Sequence, residues 1–182
     1  MTEAEPDNPR GIPAADFIDD VGAFLAAEES GAEECLQKWN ERYQKYKLME
    51  GHLTKQKADL KKKVPDIGRA LEMVRYLQER SLAGEEVSTH FQLTPNVYAN
   101  AVLQNPQTVG LWLGANVLME YPFDEAIELL EKNKAIASGS LTTLAQDVNF
   151  LRDQITTTEV NIARIYNHDV LTRRTGPSTS SA

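Results

Sequence analysis

Two long seams of apolar residues at alternating three- and four-residue steps, separated by a short turn-rich stretch, constrain this chain more than any other feature of its sequence. The first passes through Leu36, Trp39, Tyr43, Tyr46, Leu53, Leu60, Val64, Ile67, Leu71 and Val74. The second passes through Ile127, Leu130, Ala137, Leu141, Leu144, Val148, Leu151, Ile155, Ile162 and Ile165. A repeat of about 3.5 residues keeps one stripe turned toward a partner helix, so each segment predicts a coiled-coil helix. Their matching lengths predict two helices folded back on each other. At about 1.5 Å per residue, helices of about 45 residues make arms on the order of 65 Å. Such a hairpin leaves no room for a conventional active-site cleft, and function is expected in the insert, at the free ends of the hairpin, or in both.

The 182 residues carry 19 Lys plus Arg against 27 Asp plus Glu, a formal charge of -8 that disfavours nucleic acid as the main partner. The charge is uneven. Lys45, Lys47, Lys55, Lys57, Lys61, Lys62, Lys63 and Arg69 outnumber Glu50, Asp59 and Asp66 along one helix, as a solvated face or as a docking stripe for an acidic partner. Cys35 is the single cysteine, so no internal disulfide or thiolate metal cluster is available and a reducing compartment fits. The start, with Glu3, Glu5 and Asp7, lacks the basic and apolar regions of a secretory leader. The longest mostly apolar stretch, 109–119, falls far below membrane-spanning length, and a soluble chain is expected.

Residues 1–11 are expected to be disordered or extended. A short amphipathic helix is predicted from Pro13 through residue 26, placing Phe17, Val21 and Phe24 or Leu25 on one face. Ser30 and Glu33 have capping-box spacing, so the first arm is predicted over about 31–83. Glu50, Lys57 and Gln78 are polar exceptions in its seam, and Pro65 predicts a bend. The second arm is predicted over 122–170, with Pro122 in its first turn and Lys134, Thr158 and Asp169 as seam defects. Residues 172–182 read as a disordered tail.

Between the arms, over about 85–121, Thr94-Pro95-Asn96, Asn105-Pro106 and Gly114-Ala115 punctuate short apolar segments. Four strands in two hairpins are the economical reading. The fold class is therefore α+β. Isolated hairpins leave edges and an apolar face exposed, which predicts association, either by joining strand edges into a larger barrel or by covering the apolar side with another subunit. The expected assembly residues are Phe91, Leu93, Val97, Tyr98, Val102, Leu111, Trp112, Leu113, Val117, Leu118 and Met119.

No catalytic or cofactor-binding constellation can be assembled. His52, His90 and His168 fall far apart in the hairpin, which argues against a shared metal site. Gly110 and Gly114 lack the lysine and hydroxyl of a phosphate loop. Cys35 reads as a small seam-edge residue, and Trp39 and Trp112 read as packing aromatics. At the arm tip, folding the hairpin brings Phe17, Ile18, Val21, Phe24 and Leu25 near Tyr166, Val170 and Leu171. These residues either cap the arm with a small local core or offer a shallow apolar surface to non-native chains.

Tyr43-Gln-Lys-Tyr-Lys in the first arm, Leu111-Trp-Leu-Gly-Ala-Asn-Val-Leu-Met-Glu-Tyr in the insert, Asp124-Glu-Ala, and the run from Phe150-Leu-Arg-Asp-Gln-Ile through Ile165-Tyr-Asn resemble the prefoldin family, in its α class. The resemblance covers about residues 11–171, and two hairpins fit the α class where β-class members have one. It implies a prefoldin-type domain over 12–171 in a heterohexamer of two α-class and four β-class chains, with strands joined in a central double barrel. It further implies an ATP-independent chaperone, without cofactors, that captures unfolded actin, tubulin and other nascent chains and passes them to the cytosolic group II chaperonin. A cytoplasmic location is implied, with the nucleus open as a second. The alternative is a coiled-coil scaffold or tether with one folded partner.

Overall fold

The computed structural model describes residues 10–28 and 31–175. The elements are α1 (Val21–Ala27), α2 (Ala32–Leu82), β1 (Val87–Thr94), β2 (Val97–Leu103), β3 (Thr108–Gly114), β4 (Val117–Pro122) and α3 (Phe123–Thr175). The fold is α+β, two long helices with two antiparallel β-hairpins between them in the chain. The disorder expected at 1–9 and 176–182 and the Ser30 half of the capping box lie outside the described residues. Residues up to Lys57 together with those from Thr142 onward form one compact unit, and Ala58–Leu141 form a second.

Glu33 and Glu34 occupy the first turn of α2, where carboxylates complement the positive helix end. The helix continues through Pro65, which removes one donor from the ladder without ending it. Its stop is a Schellman motif: the Gly84 amide donates to the Ser81 carbonyl and the Glu85 amide to the Arg80 carbonyl, both at 3.0 Å. Gly84 takes φ +68°, which a side chain would strain. Pro122 does not open α3 as expected. It ends β4 opposite Thr108, a strand end where no ladder donor is needed, and Phe123 starts the helix. Residues 172–175, expected in the tail, extend α3, with the Thr172 hydroxyl donating to the His168 carbonyl and Arg173 paired with Asp169.

In the first unit the buried side chains are Cys35, Trp39, Tyr46 and Leu53 from α2 and Leu144, Val148, Leu151, Ile155 and Ile165 from α3. Two polar seam residues are satisfied there: Arg152 donates to Glu50 at 3.0 Å, and the buried Thr158 hydroxyl donates to the Gln154 carbonyl. A charge bonded across the seam disfavours slipped registers. In the second unit Val74, Phe123 and Ala126 form a core against which Leu77, Val109, Leu111, Tyr121, Ile127 and Leu130 pack. Gln78, another polar exception, donates to Asp124 at 2.7 Å there, and Arg75 pairs with Glu131.

The helix expected from Pro13 does not form as such. Residues 11–20 are not helical, and only Val21–Ala27 is, starting at Asp20, whose carboxylate accepts from the Ala23 amide. Helix was the wrong period: Ile12, Ala15, Ile18 and Val21 are all buried, and a three-residue repeat belongs to an extended, polyproline-like chain. The main chain of this strap bonds to side chains of the long helices instead of to itself, so helix formation would forfeit these bonds.

Candidate interaction surfaces

The two hairpins do not pair with each other; each is its own two-stranded sheet with unpaired outer edges. In the first, Val87 pairs with Leu103, Thr89 with Ala101 and Phe91 with Ala99, and alternation puts these on one face. Ser88, His90, Gln92, Tyr98, Asn100 and Val102 share the other. The ribbon is thus amphipathic, yet Phe91 on its apolar face is 62 % exposed. The register shifts between Gln92 and Thr94, which bulges Leu93 out of the ladder.

The second hairpin is apolar on both faces. Val109, Leu111, Met119 and Tyr121 share the face that packs on the Val74–Phe123–Ala126 core, although Met119 remains exposed. Trp112 and Leu118 are opposite each other on the outer face, and Trp112 is 69 % exposed. A Cβ at Gly110 would stand 3.4 Å from the Leu118 side chain, so glycine lets that leucine lie across the ribbon. Ala115 and Asn116 both take positive φ, the geometry of a type I′ turn, whose twist suits a two-residue hairpin. Of the expected assembly residues, Leu111 is half-buried against its own chain, and Phe91, Leu93, Val97, Tyr98, Val102, Trp112, Leu113, Val117, Leu118 and Met119 are exposed.

The first unit carries the second surface. Its expected tip residues divide: Ile18 on the strap and Val21 at the start of α1 are buried, Phe24, Leu25 and Val170 are half-buried, and Phe17, Tyr166 and Leu171 are exposed. Phe24 meets Trp39 edge-to-face at 6.5 Å, and the Arg164 guanidinium lies 4.9 Å over the Phe17 ring. A cleft of about 560 Å³ is lined by Phe17, Phe24, Trp39 and Cys35 together with Asp16, Asp19, Asp20 and Glu28. Burial, and then the Glu28 charge, pushes the Cys35 thiol above its usual range, so it is a poor nucleophile.

Sequence reasoning did not find the residues that hold the strap. Gln154 Oε1 accepts from the Ala15 amide at 2.7 Å, and Asn161 Oδ1 accepts from the Ile18 amide at 3.1 Å. Asn161 Nδ2 donates to the Asp16 carbonyl at 2.7 Å, Arg164 donates to the Asp19 carbonyl at 2.7 Å, and the Tyr46 hydroxyl donates to the Pro13 carbonyl at 2.7 Å. Arg10 pairs with the buried Asp147. The available signal was a heptad line beside the apolar seam, Asp147, Gln154, Asn161 and His168, polar at every step. Burial raises the Tyr46 phenol above its usual range, and acceptance by Glu159 does the same for Tyr43.

Among the described residues no group of His, Cys, Asp and Glu is arranged to hold a metal ion, and no helix is long and apolar enough to cross a membrane. His52 contacts Gln56 at 3.0 Å, His90 stands on the first hairpin, and His168 lies beside Gly22.

The Prefoldin family profile, described as prefoldin subunit, matches residues 46–168. The chain is 45% identical over 172 residues to prefoldin subunit 3 of Mus musculus, covering 94% of this chain and 88% of that protein. The same identity holds with prefoldin subunit 3 of Homo sapiens, over 94% and 87%. Prefoldin subunit 3 of Saccharomyces cerevisiae is 43% identical over 176 residues, 92% of this chain and 88% of that protein. Long paired helices, two hairpins with uncovered apolar faces and likeness along almost the whole sequence agree: the chain belongs to the prefoldin family.

Proposed function

We propose that this chain is an α-class subunit of a heterohexameric prefoldin, assembled from two α-class and four β-class chains, that captures non-native polypeptides without ATP. Its clients are unfolded or nascent chains such as actin and tubulin, and it delivers them to the cytosolic group II chaperonin. The prefoldin-type domain takes in residues 12–171, and the reading places the chain in the cytoplasm, with the nucleus open as a second compartment. The observation that carries this reading is the pair of hairpins, whose edges are unpaired and whose Phe91 and Trp112 stand in water in the isolated chain. Joining those edges to neighbouring subunits in a barrel completes the ladders and covers the rings.

Client contact belongs to the first unit, at Phe17, Phe24, Leu25, Tyr166, Val170 and Leu171, with Ile18 and Val21 buried among them. Several weak apolar contacts on arms held by one platform raise the effective concentration of each next contact, so capture needs no tight site and release needs competition rather than hydrolysis. The test is suppression of aggregation of chemically unfolded actin by the reconstituted hexamer without nucleotide. The intact complex is compared with one whose subunit carries Phe24→Asp, Leu25→Asp, Tyr166→Asp and Leu171→Asp, which leaves the strap in place. Protection by the intact complex and its loss in the substituted one support the reading. A complex that binds one folded partner and protects no client supports a coiled-coil scaffold instead.

A further inference from the structure

The strap tracks α3 in one direction. From Arg10 with Asp147 to Asp19 with Arg164 it keeps pace with a helical rise of about 25 Å, or about 3 Å per strap residue, which only an extended chain covers. Three strap residues match one heptad of helix: Ala15 bonds to Gln154 and Ile18 to Asn161, while the buried side chains also recur every third residue. The bonds made by Gln154, Asn161, Arg164 and Tyr46 take main-chain atoms of the strap, the amides of Ala15 and Ile18 and the carbonyls of Asp16, Asp19 and Pro13. Every polypeptide possesses those atoms. The side-chain requirement is modest, with Ala15 accepted at one buried position and the branched Ile12, Ile18 and Val21 at others.

We infer that the groove of Tyr46, Gln154, Asn161 and Arg164 reads extended polypeptide by its main chain, and that residues 10–20 are its built-in occupant, displaced by an extended client segment with small or branched apolar residues three apart. This rests on the chaperone reading above and adds its regulation. The docked strap covers the groove and keeps its own Ile12 and Ile18 out of water when no client is present, so the subunit does not present that apolar surface to water or to other copies. A client competes for the same bonds, and apparent affinity is reduced by the fraction of chains whose strap is docked.

The test uses the full-length chain assembled with its partner subunits and fluorescently labelled, reduced and carboxymethylated α-lactalbumin as the unfolded probe. Two release variants are compared with the parent, Ile12→Asp with Ile18→Asp, and the milder Ala15→Pro, which removes the amide that Gln154 accepts; either serves if the other fails to assemble. Release is expected to tighten probe binding, on the order of tenfold if the strap is docked in about nine chains of ten. Adding Asn161→Ala to a release variant removes the gain, and probe added to the parent speeds hydrogen exchange at the Ala15 and Ile18 amides. Unchanged or weaker binding on release, or strap amides that stay protected with probe bound, overturns the inference while leaving the chaperone reading in place. Binding by neither parent nor release variant overturns both.

Discussion

Asn161 accepts a hydrogen bond from the Ile18 amide across 143 positions of sequence, with its own side chain fully buried. A buried carboxamide carries both a donor and an acceptor, each costly to leave unmade. Here the oxygen takes the Ile18 amide and the nitrogen gives to the Asp16 carbonyl, so one side chain satisfies strap groups two residues apart. The polar residue in the helix and the non-helical strap therefore explain each other.

Asn161→Ala leaves that strap amide and carbonyl without partners and is expected to cost about 1–3 kcal/mol. The loss is local. Hydrogen exchange should accelerate at Ile18 while far-ultraviolet circular dichroism holds its helical signal; unchanged exchange would contradict the assigned bond.

The two faces of the second hairpin should respond differently to substitution. Leu118→Asp changes an exposed residue, so the isolated chain should keep its stability to within about 0.5 kcal/mol. It should nevertheless fail to enter a complex with partner subunits in native mass spectrometry, because the barrel would bury an unpaired carboxylate. Leu111→Ala removes packing against the Val74–Phe123–Ala126 core and should destabilise the isolated chain by about 1–3 kcal/mol for a half-buried leucine, read as a lower denaturation midpoint.

Gly84→Ala forces a Cβ into φ +68° at the stop of α2. A penalty of about 1–2 kcal/mol is expected from the left-handed conformation. Cβ clash is not the cause, since nothing lies within 4 Å of that position. Gly84→Asn should recover part of the loss in the same urea titration, because asparagine tolerates this region better than alanine.

Burial raises the Tyr46 phenol above its ordinary value of about 10, and the neutral hydroxyl donates to Pro13. The unfolded chain loses this proton first as pH rises. The contribution to stability is therefore fully present below about pH 10 and is lost as pH climbs through the folded value. Thermal melts between about pH 9 and 11 should fall more steeply for the parent than for Tyr46→Phe. Parallel slopes would count against the assignment.

Much of the helical framework was legible because a seam repeats. Trp39, Tyr46, Leu53, Leu71 and Val74 on one helix and Leu144, Val148, Leu151, Ile155 and Ile165 on the other are buried at positions that periodicity marks. Turn residues likewise placed the hairpins, with Asn116 at positive φ where the sequence breaks. The strap was misread from equally local evidence. Pro13 suits a first helical turn, and Phe17, Val21 and Phe24 share a helical face, but Ile12, Ala15, Ile18 and Val21 fit a three-residue repeat better. The two patterns overlap over so few residues that only the partners separate them.

What the sequence determined by itself is what local physics encodes: two long helices from their seven-residue repeat, hairpins from their turns, and a prefoldin-type chain from its strings of residues. Tertiary structure alone decided which polar residues are partners and which apolar ones are covered. Asp147, Gln154 and Asn161 look like interruptions beside a seam until the strap's main chain lies against them. Leu111 and Trp112 are neighbours of similar hydrophobicity, yet the pleat turns one onto the helices and the other into solvent. A main-chain group has the same identity in every sequence, so its partner across more than a hundred positions is set by the packing that brings them together.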